Sequence, residues 1–453
     1  MARAFLSVDG LRPSPEPPLL ARAGTPVFAR RTPIPWPLVA LFTAGYLAPY
    51  LLPTVVGRLD GGLPLTATEA GAVGSALLLS SSSAGFLLAS RVERIGARTM
   101  ARAGLLLAVL GYGGAALAGS VPAVVAGAVL GGFGSGTVTA VAATRIAAEP
   151  DPHRASTLGL LGVSALAGAV YLTVPHLGAG HGQPLAAIAL TALATGPLTG
   201  RLPGRGAPAD PALPQTRVPL PNLRAGLVLA AAMPFWSLVQ NSLWGVSGRI
   251  GLTQAHLGEA AVGAVFAVAL GAGLTGVLAA GALGARLGRA LPIGIGTVLI
   301  AACVAGNASA TTPAGFAAGQ IVWNVLYPVV LSYLIGLAAS LDPRGRWAVL
   351  VGSAGSLGTA AGPLTGSVLS AQAGFPVMGL VLGAALLVVA VPMTGVALHA
   401  SGRRVLPGAV RRRGGAPARP VVEIQVDAPA VPTPGAYDTA GPRQAGAAPG
   451  SGN

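Results

Sequence analysis

Apolar runs of about 20 residues, long enough to cross a bilayer as helix, follow one another along most of the chain, and short polar stretches between them hold nearly all the charge. Six such runs occupy positions 36–57, 68–90, 99–119, 121–143, 156–177 and 184–200. A polar, Pro-rich stretch over 201–223 reads as a linker, and six more runs follow at 225–247, 259–283, 291–308, 313–340, 347–371 and 375–400. This predicts an all-α integral membrane protein of twelve transmembrane helices, arranged as a six-helix bundle over 36–200 and a second over 224–400. Residues 1–35 and 401–453, rich in Pro, Gly and Ala, are expected to be disordered cytoplasmic tails. The first of them has no apolar core run and does not read as a secretory signal.

The charges test the span count. With twelve spans and a cytoplasmic N-terminus, only Arg58 and Arg249 fall on the outer side. Every other Arg lies in the tails, the even-numbered connections or the cytoplasmic helix ends, as the positive-inside rule requires. Dropping one span would scramble this order. The expected location is therefore the cell (inner) membrane, multi-pass, with both termini cytoplasmic.

The two exceptions point to a duplication. Arg58 follows the first run and Arg249 the seventh, 191 positions later. At the same offset Asp151-Pro152 matches Asp342-Pro343. Allowing one residue either way, Glu69 matches Glu259 and Arg94-Ile95-Gly96 matches Arg286-Leu287-Gly288. Charged residues are rare here, so coincidences in equivalent loops argue for two pseudo-symmetric halves.

Composition excludes the soluble classes. Only 9% of positions are charged and 53% are hydrophobic, with a mean hydropathy of +0.69; a water-exposed surface needs about 25% charge. The net charge of +15 comes from Arg in the tails and between apolar runs, not from a basic patch on a folded polar surface, so no nucleic-acid partner is expected. Cys303 is the only cysteine and sits inside an apolar run, so neither a disulfide framework nor a metal cluster is expected, and no cofactor. No span or loop carries paired acids, a His cluster or a nucleophile with a partner base, which argues against an enzyme. The long tails lack a recognisable signalling module, which argues against a receptor.

The segment Ala89-Ser90-Arg91-Val92-Glu93-Arg94-Ile95-Gly96-Ala97-Arg98 resembles the signature loop of the major facilitator superfamily, which runs Gly, three residues, Asp, Arg, any residue, Gly and two basic residues. Here Ala89, Glu93 and Ala97 depart from it, and a degenerate second copy runs over 281–289. The resemblance implies the major facilitator fold and a cytoplasmic latch between the halves, carried by Glu93, Arg94, Gly96 and Arg98, with Arg286 and Gly288 in the second copy. Simple topology-fixing by these Arg residues is the alternative. Gly358, Gly362, Pro363 and Gly366 resemble a Gly-Pro helix element common in the superfamily's exporters, although there it usually lies in the fifth span.

The resemblance further implies that the first, fourth, seventh and tenth spans line a central cavity. Tyr46 and Tyr50 share a face of the first span with Pro49 and Pro53. Trp236, Gln240 and Trp244, with Asn241 adjacent, fall on the seventh, and Gln320, Trp323, Asn324 and Tyr327 on the tenth. Amides and indoles are costly against lipid, so these faces should point inward, either to bind substrate or to join helices by hydrogen bonds. Trp36 and Trp347, at span ends, read as interfacial anchors. The fourth span, with Gly131, Gly132, Gly134 and Gly136, offers close backbone approach and no basic residue. None of the 13 Asp and Glu residues lies deep in a span.

The expected function is therefore alternating-access efflux of a small hydrophobic or amphiphilic compound by a monomer, with import of a sugar or other polar nutrient as the alternative. If protons are the coupling ion, the candidate carriers are Glu69, Glu259, His176 and Glu93.

Overall fold

Inside a bilayer the backbone must satisfy its own hydrogen bonds, and for a chain of unbroken apolar runs the helix is the available answer. The computed structural model describes residues 34–202, 219–284 and 286–401, and among these all regular structure is helical. The two expected tails and most of the linker lie outside the described residues.

The first span is two helices, Trp36–Tyr50 and Leu52–Gly62, bent by 48°. The second is Ala67–Leu88, the third Ala97–Leu117, the fourth Val121–Ala147 and the fifth Pro152–Thr173. The sixth, Gly182–Thr195, is short and is extended by the 3-10 turn Gly196–Arg201. The second half follows with Leu223–Arg249, Glu259–Leu283, Ala290–Ala308 and Pro313–Ser340. The helical stretch Arg346–Ala400 is broken at Gly374, with φ 79° and ψ 165°, and supplies the last two spans.

The first and seventh spans outrun the apolar pattern. Arg58 lies within the last turns of the first span rather than after it, and the seventh continues through Arg249 into the π turn Ile250–Gln254. Helix can continue there because each guanidinium finds acceptors inside the protein (Arg58 reaches the carbonyls of Val174 and Gly178). The fourth span likewise runs on to include Arg145. Trp347 is a correction. It is no interfacial anchor but is fully buried, pressed on Gly226, its indole N–H donating to the Pro221 carbonyl at 2.7 Å. Trp36, the first residue of its helix, is 55% exposed.

The repeated loop residues do matching local work. Gly96 (φ 98°) and Gly288 (φ 65°) each adopt a left-handed conformation that a side chain would strain. Asp151 caps the fifth span through the Arg154 amide at 2.9 Å, and Asp342 accepts from the Arg344 amide at 3.2 Å and from Arg346 Nε at 2.6 Å. The Arg346 hydrogen bond holds the Asp342 carboxyl below its usual range. A depressed folded-state pKa adds stability above the unfolded value, about 3.9, and loses it as pH falls through the folded one. Asp342→Asn should therefore lower the melting temperature of detergent-purified protein by about 1–2 °C at pH 7, with the difference shrinking as pH falls below about 3.9, as a thermal-shift assay would read.

Packing is by small residues. Fourth-span Gly132 and Gly136 rest on the second-span carbonyls of Leu77 and Ser81, and eleventh-span Gly358, Gly362 and Gly366 rest on the seventh span at Pro234, Asn241 and Ser242. Large apolar side chains face outward instead, with Leu117, Val388 and Val391 at 91%, 71% and 73% exposure, a surface suited to lipid. Among the described residues the halves meet mainly where the Leu52–Gly62 arm of the first span packs on the seventh, the second on the eleventh, and the fifth on the eighth.

Candidate functional site

The break in the first span is the starting point. Pro53 has no N–H, so the Pro49 carbonyl lacks its helical partner. Thr54 N–H turns to Leu51, which leaves the Tyr50 carbonyl free as well. Both acceptors are taken by side chains from elsewhere: the Trp244 indole N–H donates to Pro49 at 3.1 Å across the halves, and the Tyr171 hydroxyl donates to Tyr50 at 2.6 Å.

From Trp244 a continuous run of rings crosses the second half. Trp244 stacks on Trp323 at 5.7 Å, Trp323 meets Tyr327 at 5.8 Å, and Tyr327 stacks on Trp236 at 5.3 Å. In the other direction Trp244 meets Phe266 edge-on at 5.2 Å, and Phe266 meets Tyr171 of the first half at 5.1 Å. Each such pair adds about 0.5–1.5 kcal/mol beyond simple burial.

Amides lace this run together. Trp323 Nε1 donates to Gln240 Oε1 at 2.7 Å, and Gln320 Nε2 donates to the Ser247 hydroxyl at 2.9 Å. Within this run of rings and amides, three buried polar atoms have no partner among the described residues: Trp236 Nε1, Gln240 Nε2 and Gln320 Oε1. Each carries a desolvation cost of about 1–3 kcal/mol that a hydrogen-bonding guest would relieve.

The remaining candidates are placed differently. Asn241 turns to the eleventh span, donating to the Ser237 carbonyl and to Thr359 Oγ1 at 3.3 Å. Asn324 donates to the Gln320 carbonyl of its own helix at 2.9 Å. Tyr46 stacks on Phe42 at 4.5 Å, and both Tyr46 and Tyr50 are half-buried. Of the latch residues, Glu93, Arg94 and Arg286 are exposed and make no ion pair among the described residues. Arg98 pins the third span to the Leu202 carbonyl within its own half, at 2.7 and 2.9 Å.

Sequence reading missed the closure above the rings. Arg58, 7% exposed, donates to Glu259 at 2.6 Å, to Gln183 at 3.2 Å, and to the Gly178 and Val174 carbonyls. Beneath this ion pair a small cavity between the halves is lined by Pro53, Gly57, Tyr171, Val262 and Phe266. The usable signal was the isolation of Tyr171 and Phe266, single aromatics in spans otherwise built of small and aliphatic residues.

Paired helix bundles that close over an aromatic and amide site, on a body of membrane-length apolar helices, define a multi-pass membrane protein with a secondary-transporter fold. No protein-family model and no curated sequence matches the chain. Solved structures do. A D-xylose-proton symporter superposes with TM-score 0.63 at 16% identity, over 79% of this chain and 96% of its own. The peptide transporter POT in complex with sulfate gives 0.64 at 15%, over 83% and 96%. The human organic anion transporter MFSD10 (TETRAN) gives 0.60 at 17%, over 80% and 98%. The chain has the major facilitator fold.

Proposed function

We propose that the protein is a secondary active transporter, working by alternating access and exporting a small hydrophobic or amphiphilic organic compound. The observation that carries this reading is the ring run from Trp236 to Phe266, laced by Gln240 and Gln320 and containing no Asp, Glu, His or Arg. Such a surface holds a flat, neutral guest by stacking, and its unpartnered donors and acceptor fix the guest's orientation.

The distribution of Arg supports cytoplasmic termini and a location in the cell membrane. The Arg58–Glu259 end then faces outward and is bridged by that ion pair, and Glu93, Arg94 and Arg286 lie on the cytoplasmic side, unlatched. Binding is to a small molecule within the lipid bilayer, by a monomer without enzymatic activity. Protons are the proposed coupling ion, with Glu259, which is half exposed at the closure, the carboxylate best placed to exchange one.

A second reading is import of a sugar or similar polar solute, favoured by the three amides Gln240, Gln320 and Asn324 and by likeness to a D-xylose-proton symporter. Accumulation of a labelled panel of amphiphilic drugs, sugars and organic acids, in an efflux-deficient host with and without the protein, separates the two. Export predicts lowered accumulation of an amphiphile, restored by a protonophore. Raised accumulation of a sugar would overturn export and establish the second reading.

A further inference from the structure

Arg58 and its counterpart Arg249 are anchored in the same way. Arg58 reaches 116 and 120 residues ahead, to the Val174 and Gly178 carbonyls at the outer end of the fifth span. Arg249 reaches 118 and 121 residues ahead, to the Ser367 and Ser370 hydroxyls near the end of the eleventh, each at 3.2 Å. The fifth and eleventh spans are equivalent helices of the two halves, so the anchor is duplicated along with the fold.

The counter-ion is not. Arg58 receives Glu259 from the other half, whereas Arg249 has no carboxylate within ion-pair distance among the described residues, and its buried Nε has no partner. A half-buried guanidinium without a counter-ion is unfavourable. The residue equivalent to Glu259 is Glu69, at the start of the second span. That span lies directly beside Arg249's anchor, because Gly71 packs onto Ser367, whose hydroxyl Arg249 holds. Here the Glu69 carboxylate is turned back on its own helix start, accepting from Thr66 N and Thr66 Oγ1 at 2.8 Å each. Glu259 follows Gly258, which has no side chain to retain it, and so it is free to reach Arg58.

We propose that Arg249 and Glu69 form a second bolt across the halves, the symmetry mate of Arg58–Glu259, which is unfastened in this conformation and fastens to complete closure of the outer end. Thr66 is its keeper. A capping hydrogen bond and a charge-assisted one are of similar strength, so the carboxylate can exchange between them as the halves rock. Asp60, at the end of the first span, is the rival partner, since it, and not Glu69, is the charge that acts on Arg249 in this conformation.

The proposal rests on the alternating-access reading, and its test separates the two. Val262→Cys in a Cys303→Ser background places one thiol in the cavity between the halves, where a membrane-impermeant maleimide applied from outside reports opening. Arg58→Gln should raise the labelling rate about tenfold. Arg249→Gln and Glu69→Gln should each raise it several-fold, the double variant no more than either alone. The exchange Arg249→Glu with Glu69→Arg should return the rate to background, a rescue that misfolding would not give. An unchanged rate in Glu69→Gln, or an Asp60→Asn variant that reproduces Arg249→Gln, overturns the second bolt. If Arg58→Gln is also without effect, the rocking outer gate itself is lost.

Discussion

Trp244→Phe should slow transport by about 5- to 150-fold while the protein reaches the membrane at normal abundance. The phenyl ring keeps the contacts with Trp323 and Phe266, so the packing of the site survives. What disappears is the indole N–H, the donor to the Pro49 carbonyl that Pro53 leaves unpaired. An acceptor abandoned inside a protein costs about 1–3 kcal/mol, and 1.4 kcal/mol is a factor of ten in an equilibrium. That cost falls only on conformations in which the two halves are joined here, so it shifts the cycle rather than the fold. Initial rates in vesicles, normalised to protein, are the measurement. Trp36→Phe, at an exposed indole, should transport normally, and a normal rate in Trp244→Phe would remove the cross-half hydrogen bond from the mechanism.

The largest effect on folding is expected at Gly358. A Cβ there would overlap the Pro234 carbonyl of the seventh span, a backbone atom that cannot swing aside. Overpacking a helix contact costs about 1–3 kcal/mol, more when backbone must move, and this contact begins the stripe that continues through Gly362 and Gly366. Gly358→Val should therefore reduce monodisperse protein in size-exclusion chromatography to about a tenth of wild type or less. Gly352→Val, two turns earlier with open space around its Cβ, should leave the profile unchanged.

The fold was legible because the bilayer imposes one length and one backbone solution on every span, and because charge obeys a side. The runs at 259–283 and 313–340 coincide with the helices Glu259–Leu283 and Pro313–Ser340. Two misread ends share a cause: Arg58 and Arg249 were taken as marks of water, and a guanidinium with internal acceptors is not one. Helical spacing placed Trp236, Gln240, Trp323 and Tyr327 on facing surfaces, but it could not say which way an amide turns. Asn324 spends its donor on a backbone carbonyl of its own helix, and Asn241 divides its own between the Ser237 carbonyl and Thr359 Oγ1. Nor does spacing join residues 201 positions apart, as Arg58 and Glu259 are, or show that a proline's missing hydrogen is supplied by a tryptophan of the other half.

The last two spans are joined by a single left-handed residue, Gly374, with helix on either side. A connection so short has no slack. The eleventh span packs on the second, and the twelfth on the ninth, so a displacement at the seam between the halves would be passed straight to the periphery. The pair acts as a stiff lever with its elbow at Gly374, and lengthening that elbow with flexible residues would uncouple the outermost helices from the stroke.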